Sequence, residues 1–160
     1  MNSSSSIPRS ILFVCLGNIC RSPLAEGAFR ARAISHGLTD SLLIDSAGLG
    51  SWHIGNPPDS RAVRIAGTRG IDISNQSARQ VDSADFDRFD LILGMDRSNV
   101  TALQRMAPTS SKARIGLFLD QALGSHADVP DPYYGDDAGF AEAIDLIDEA
   151  SAALIDQVSV

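Results

Sequence analysis

Short apolar runs alternate with amphipathic segments along most of this chain. Four of these runs are bounded by turn-forming residues and predict strands over residues 11–15, 42–47, 89–95 and 114–119. Helical patterns predict helices over residues 24–35, 60–68, 81–86 and 138–158, and a further helix that begins at Asp96 or Ser98 and ends at Pro108. This alternation predicts an α/β fold, a three-layer, four-stranded, parallel, doubly wound sheet with helices on both faces.

The residues between these segments predict how some of them begin and end. Ser22 is predicted to cap the first helix, with Pro23 in its first position, where no N–H is needed. Residues 120–137 are predicted as a loop. Residues 1–8 are predicted as a flexible polar tail, ahead of a single domain of residues 9–160.

The composition is that of a globular protein with a net negative charge. Hydrophobic residues make up 44% of the 160 residues, charged residues 21%, and the formal net charge is −7. This charge repels nucleic acids and anionic membranes, so we expect neither as a partner. We find no targeting segment and expect a cytoplasmic protein, although export without a recognisable signal stays open. We expect a monomer or weak self-association.

The segment after the first predicted strand carries the clearest chemistry. Cys15 ends the strand, and Arg21 follows six residues later, where the first helix opens. Backbone N–H groups and the dipole at a helix N-terminus form an anion site. A cysteine facing such a site and an arginine should have a depressed pKa and act as a thiolate nucleophile. We therefore expect attack on phosphorus at the carboxyl end of the sheet.

Other common chemistries have little support in the sequence. The three histidines are scattered, and the aspartates around residue 131 match no calcium-loop pattern, so we expect no metal. Gly48-x-Gly50 lacks the third glycine and the following helix that a dinucleotide site needs. We expect no cofactor.

The stretch Cys-Leu-Gly-Asn-Ile-Cys-Arg-Ser-Pro, from Cys15 to Pro23, resembles the signature of the low-molecular-weight protein tyrosine phosphatases. Asp131-Pro132-Tyr133-Tyr134 resembles the second signature of that family. The resemblance implies hydrolysis of phosphotyrosine in proteins through a cysteinyl-phosphate on Cys15, with inorganic phosphate as product. It implies that Arg21 binds the phosphoryl group and that Asp131 is the general acid. The positions it assigns to substrate binding are Leu16, Gly17, Asn18, Ile19, Cys20, Ser22, Trp52 and Tyr133.

The resemblance also implies a hydrogen-bond network that supports the loop. Asn18 is expected in a left-handed conformation and bonded to Ser22 and Ser46. Relatives carry a histidine as a further partner of this asparagine, whereas this chain has Asn75 and Gln76 in that region. An amide can donate the same hydrogen bond, so the network can survive the change.

The two cysteines lie close together in the sequence. A bridge between Cys15 and Cys20 would close very little chain, so it would be a poor structural staple. Cys20 alone is consistent with a small buried hydrophobic residue, whereas the pair favours a reduced protein whose reactive thiol can be capped reversibly. In the family that the chain resembles, the second cysteine forms such a reversible disulfide.

Three functions other than phosphotyrosine hydrolysis are alternatives for this chain. Arsenate reductases share this fold and loop but use further cysteines downstream, and this chain has none after Cys20. Arginine phosphatases of the same family carry threonine at the position of Ile19 and phenylalanine at that of Tyr133. The branched apolar side chain of Ile19 suits a phenyl ring better than a guanidinium. A non-catalytic phospho-binding module would need neither the thiolate of Cys15 nor the acid Asp131.

Overall fold

In the computed structural model, which describes residues 7–159, a four-stranded sheet forms the centre of the protein. The strands are β1 (Ser10–Cys15), β2 (Leu43–Gly48), β3 (Leu91–Gly94) and β4 (Arg114–Leu117). Their order is β2-β1-β3-β4 and every neighbouring pair is parallel, which confirms the predicted fold class. Most of the tail predicted for residues 1–8 lies outside the described residues.

Helices cover both faces of this sheet. They are α1 (Arg21–Ser35), α2 (Ser60–Thr68), α3 (Asp85–Arg88), α4 (Arg97–Met106), α5 (Phe118–Leu123) and α6 (Asp137–Val158). Side chains alternate along β1, so Ile11 and Phe13 join the core under α1, α5 and α6. Leu12 and Val14 join a second core under α3 and α4. No helix among residues 7–159 has the length and apolar character to cross a membrane.

The predicted boundaries of β3 and β4 were wrong. β3 is shorter than residues 89–95 at both ends, and β4 ends at Leu117. Residues 118–123, predicted as the end of a strand and the start of a loop, form α5. Phe118 and Leu119 are buried in the core, and the left-handed Gly124 ends the helix. A short apolar run fits a strand and a buried helical turn equally well, which explains the error.

Two further predictions failed at α1 and α3. α1 begins at Arg21, with Cys20 at the N-cap position and no side chain that caps it. Ser22 lies inside the first turn, so the prediction that it caps the helix was wrong. α3 begins later than residue 81 because the N–H of Val81 donates to the carbonyl of Gly48 and extends the pairing beyond β2.

Candidate active site

The connection between β1 and α1 forms a loop at the carboxyl end of the sheet. Asn18, in its middle, has a φ of 58°, the left-handed conformation that was predicted. The N–H of Asn18 donates to the sulfur of Cys15 at 3.3 Å. Four further N–H groups of the loop find no acceptor within residues 7–159, those of Leu16, Gly17, Ile19 and Cys20. With the N-terminus of α1, these donors can bind an anion beside Cys15.

The segment after β2 packs directly against this loop. The N–H groups of Leu49 and Gly50 donate to the carbonyls of Cys15 and Leu16 at 3.0 and 2.9 Å. A Cβ on Gly48 would lie 3.0 Å from the carbonyl carbon of Gly17, so this close approach favours glycine. The contact brings the residues that follow, Trp52 and His53 among them, to the edge of the loop.

Asn18 links three parts of the chain through its side chain. Its Nδ2 donates to the hydroxyl of Ser22 at 2.8 Å and to that of Ser46 at 3.0 Å, as predicted. Its Oδ1 accepts the backbone N–H of Arg79 at 3.0 Å. Among residues 7–159, no hydrogen bond joins Asn75 or Gln76 to Asn18, so neither amide takes the place of the family histidine, and the backbone N–H of Arg79 completes the network instead.

A buried glutamate that the sequence had not indicated continues this network. The hydroxyl of Ser46 donates to Oε1 of Glu26 at 2.7 Å, and Nε of Arg30 donates to Oε2 at 3.0 Å. Burial raises the pKa of Glu26 above its ordinary value, although the hydrogen bond from Ser46 and the charge of Arg30 offset part of the shift. The carboxyl group of Glu26 is therefore connected to the loop by hydrogen bonds through Ser46 and Asn18.

The sulfur of Cys15 lies 3.0 Å from the hydroxyl oxygen of Ser22. Because Asn18 donates into that oxygen, the hydroxyl hydrogen of Ser22 is free to point elsewhere. Its other nearby acceptor, the carbonyl of Ala47, is 3.5 Å away, so the sulfur is the nearer partner. This donor and the N–H of Asn18 suit a negatively charged sulfur, and the thiolate form of Cys15 stays a prediction.

Cys20 has different surroundings from Cys15, although both are buried free thiols. Burial raises the pKa of the Cys20 thiol to about 12, and the negative charge of Asp59 adds to the shift. Cys20 is therefore a neutral thiol at physiological pH, beside the loop donors.

Arg21 is held in a fixed orientation by groups outside the loop. Its side chain is only 4% exposed, and Nη1 donates to Oδ2 of Asp96 at 2.8 Å and to the carbonyl of Val129 at 3.0 Å. These two bonds use the donors of one guanidinium nitrogen and leave Nε and Nη2 for a bidentate contact with an anion. Burial would raise the pKa of Asp96, but hydrogen bonds from Ser98 and Arg21 outweigh it and lower that pKa.

The loop, the segment after β2 and the segment before α6 enclose one cavity of about 400 Å³. It is lined by Cys15, Leu16, Gly17, Ile19, Cys20, Arg21, Trp52, His53, Asp131, Tyr133 and Tyr134. Oδ2 of Asp131 lies 3.6 Å from Nη2 of Arg21, and Oδ1 accepts the N–H of Tyr133 at 3.1 Å. The cavity thus brings together a thiol, a guanidinium and a carboxyl group with aromatic walls.

Some predicted residues lie behind the cavity, and some cavity residues were missed. Asn18, Ser22 and Ser46 do not line it, and their buried side chains hold the loop from behind. His53 was missed, and it lies so close to Gly17 that a Cβ there would be 3.1 Å from Cδ2 of the imidazole. Residues 7–159 contain no group of three or more His, Cys, Asp or Glu side chains suited to a metal ion.

Asp96 was predicted as one of two possible starts of a helix, and no role in the site was predicted for it. It does cap α4, since its Oδ1 accepts the N–H of Asn99 at 2.8 Å, but its other oxygen holds Arg21. One signal in the sequence could have found this second role. Asp96 follows the strand β3 almost directly, and carboxyl ends of neighbouring parallel strands share one edge of a sheet.

Comparisons with known proteins agree on one family. A sequence model described as low molecular weight phosphotyrosine protein phosphatase matches residues 10–160. The low molecular weight protein-tyrosine-phosphatase YfkJ of Bacillus subtilis is 48% identical over 139 residues, which cover 86% of this chain and 88% of that protein. A protein tyrosine phosphatase from Entamoeba histolytica, crystallised with Hepes in its active site, has a TM-score of 0.88 at 39% identity, covering 94% and 96% of the two chains. A Drosophila arginine phosphatase has a TM-score of 0.86 at 32% identity, covering 94% and 98%.

Proposed function

Because this chain belongs to the low molecular weight phosphotyrosine protein phosphatase family, we propose that it hydrolyses phosphotyrosine in proteins with Cys15 as the nucleophile. The observation that carries the proposal is the convergence of Cys15, Arg21 and Asp131 on one cavity. A nucleophile, a phosphate ligand and an acid are the groups that displacement at phosphorus in two steps requires.

In the first step, the phosphoryl group is transferred to the cysteine. The thiolate of Cys15 forms the S–P bond while the P–O bond to the tyrosyl oxygen breaks, and Asp131 gives its proton to that oxygen. The loop N–H groups and the free donors of Arg21 bind the phosphoryl oxygens and stabilise the charge that develops on them. The products are a free tyrosine side chain and a cysteinyl-phosphate.

In the second step, water replaces the sulfur. Asp131, now a carboxylate, takes a proton from water as the new P–O bond forms and the S–P bond breaks. The electron pair of that bond returns to the sulfur of Cys15 as a thiolate. The Ser22 hydroxyl, 3.0 Å from the sulfur, stabilises the leaving thiolate, and inorganic phosphate is released.

The walls of the cavity favour an aryl ester over a smaller alkyl ester. Trp52 and Tyr133 offer aromatic faces to a phenyl ring, and Ile19 adds an apolar surface. A serine phosphate is too short to fill this space while its phosphoryl group reaches the loop. Phosphoarginine is the second substrate to consider, since a Drosophila arginine phosphatase shares the fold.

Partners and location follow from charge and thiol chemistry. We expect phosphoproteins as substrates and inorganic phosphate as product. We expect neither nucleic acid nor membrane as a partner, because the net charge of −7 repels both polyanions, and we expect a monomer or weak self-association. Cytoplasmic location is proposed because Cys15 must stay reduced to act as a nucleophile.

The test is hydrolysis of matched peptides that carry phosphotyrosine, phosphoserine or phosphoarginine, without metal, with Cys15→Ser and Asp131→Asn as comparisons. We expect activity on phosphotyrosine alone, none in Cys15→Ser, and a loss of roughly 10²–10⁴-fold in Asp131→Asn. Activity mainly on phosphoarginine would keep the mechanism and overturn the argument from Ile19. Tight peptide binding without turnover would identify a binding module instead.

A further inference from the structure

The segment that carries Asp131 has few direct ties to the phosphate-binding loop. Asp131 is 40% exposed, and its contact with Arg21 is 3.6 Å, longer than a hydrogen bond. Its other oxygen accepts the N–H of Tyr133, which belongs to the same segment. A group that protonates a leaving oxygen must be placed accurately. Arg21 holds the start of this segment through the carbonyl of Val129, so a different contact has to hold the residues that follow Asp131.

Asp59, the N-cap of α2, is attached to the phosphate-binding loop. Its N–H donates to the carbonyl of Ile19 at 2.8 Å, and its side chain is only 13% exposed. Its Oδ1 also accepts the N–H of Arg61, which caps the helix. The position of Asp59 is therefore set both by the loop and by the first turn of α2.

The carboxylate of Asp59 holds the guanidinium of Arg61 by two hydrogen bonds. Nε donates to Oδ1 at 3.1 Å and Nη2 donates to Oδ2 at 3.0 Å, a bidentate arrangement. This bond from Arg61 lowers the pKa of Asp59, so the carboxylate stays charged wherever the enzyme is folded and near neutral pH. The plane of the guanidinium is thereby fixed.

Arg61 uses two further donors on the segment that carries the acid. Nη2 donates to the carbonyl of Tyr133 at 3.0 Å, and Nη1 donates to that of Gly135 at 3.1 Å. The guanidinium carbon lies 4.6 Å from the centre of the ring of Phe140 in α6 and 5.8 Å from that of Tyr133. A continuous path of hydrogen bonds therefore runs from Ile19 through Asp59 and Arg61 to Tyr133, whose N–H donates to Asp131.

We propose that Arg61, held by Asp59, is a positioning residue that fixes the segment of Asp131 and Tyr133 relative to the phosphate-binding loop. The proposal rests on the proposed role of Asp131 as general acid and extends it. Arg61 does not line the cavity, so it acts only through the residues it holds.

The test uses aryl phosphates whose leaving phenols range from strongly to weakly acidic, with kcat/KM as the readout, since it reports phosphoryl transfer to the cysteine. The variant is Arg61→Met, which keeps the stem and removes every donor, and Arg61→Lys retains the charge without the planar fork. Arg64→Met is the matched control. Arg64 lies one turn later in α2 and pairs with exposed Asp137 at 2.9 Å, at the start of α6.

A misplaced acid matters most where the leaving group needs its proton. For Arg61→Met we expect kcat/KM to fall roughly ten- to a hundredfold with weakly acidic phenols and only slightly with nitrophenols. Arg61→Lys should fall between this variant and the wild type, and Arg64→Met should match the wild type. In protein that already carries Asp131→Asn, the additional change Arg61→Met should hardly alter how kcat/KM depends on the acidity of the leaving phenol.

Other outcomes would separate this proposal from the one on which it rests. An equal loss with every leaving group, or a loss that adds fully to that of Asp131→Asn, would identify a merely structural role and overturn the positioning proposal. A wild-type rate in Arg61→Met, with Asp131→Asn impaired, would also overturn it and leave the proposed function intact. Inactive wild-type enzyme would overturn both.

Discussion

Replacement of Asn18 should separate two contributions that this residue makes to the loop. Asn18 has a left-handed φ of 58° and makes three side-chain hydrogen bonds, to Ser22, Ser46 and the N–H of Arg79. Asn18→Gly removes the hydrogen bonds but tolerates the backbone conformation. Asn18→Ala removes the same bonds and adds backbone strain. The two variants therefore differ only in their backbone terms.

The expected magnitudes follow from these contacts. Three hydrogen bonds at a net 0.5–1.5 kcal/mol each amount to about 1.5–4.5 kcal/mol of unfolding free energy in both variants. The left-handed conformation costs alanine about 1–2 kcal/mol, and the greater freedom of glycine in the unfolded chain offsets about 0.4–1 kcal/mol of that difference. We expect Asn18→Ala to be less stable than Asn18→Gly by about 1 kcal/mol.

The assay is urea denaturation followed by circular dichroism, with kcat/KM on a phosphotyrosine peptide measured beside it. Asn75→Ala is the control, because Asn75 is an exposed asparagine outside the network. Both Asn18 variants should lose activity, since Ser22 is no longer oriented toward Cys15. Wild-type stability in Asn18→Gly would refute the role given to the hydrogen bonds. An alanine variant as stable as the glycine variant would refute the strain argument.

Three further predictions concern charged groups and thiols. Burial raises the pKa of Glu26, so wild-type protein should gain stability relative to Glu26→Gln as pH falls from neutral toward the ordinary pKa of 4.5. The measurement is urea denaturation of both proteins at several pH values, and a difference in unfolding free energy that does not vary with pH would contradict this prediction. Asp96→Asn should lower kcat/KM on phosphotyrosine peptide about tenfold because Arg21 loses its charged partner, and unchanged kinetics would contradict that role. At neutral pH iodoacetamide should alkylate Cys15 before Cys20, whose pKa is raised to about 12, and mass spectrometry showing the reverse order would refute this.

Local signals in the sequence were sufficient for the sheet and for the loop after β1. The continuous apolar run before Cys15 predicted a buried parallel strand, and the loop residues that follow are contiguous, so their spacing alone places them at one helix N-terminus. The left-handed conformation of Asn18 was predictable for the same reason, because asparagine tolerates it locally. The role of Asp131 as general acid was predicted only from the resemblance, because an aspartate in a loop belongs to no periodic pattern.

Contacts between distant segments could not be predicted in this way. Asp96 holds Arg21 across 75 positions, and Arg61 holds the carbonyl of Tyr133 across 72. Asp96 meets Arg21 because the sheet order places the ends of β1 and β3 side by side. Arg61 meets Tyr133 because α2 packs beside α6, and sequence spacing contains neither arrangement. Opposite charges alone would not have singled out Asp96 and Arg21, because the chain has 13 Lys and Arg residues and 20 Asp and Glu residues.

Gln76 stays outside the Asn18 network for a specific physical reason. Gln76 donates its Nε2 to the carbonyl of Pro23 and buries its Oε1 without a hydrogen-bond partner among the described residues. The oxygen of Asn18 is satisfied instead by the backbone N–H of Arg79, which every residue type except proline would supply at that position. A donor from the main chain is not encoded by a particular side chain, so the sequence does not indicate that Arg79 is the partner of Asn18.

The fold and the candidate site depend on different kinds of interaction. Two apolar cores hold the sheet and helices, whereas the loop is held from behind by polar side chains such as Asn18, Ser22 and Ser46. Loss of one such hydrogen bond costs only about 1 kcal/mol of stability, but a displacement of about 1 Å at a reacting group can cost a hundredfold in rate. Substitutions in this polar layer should therefore abolish turnover in protein that still folds, and catalysis should be the more sensitive measure of its integrity.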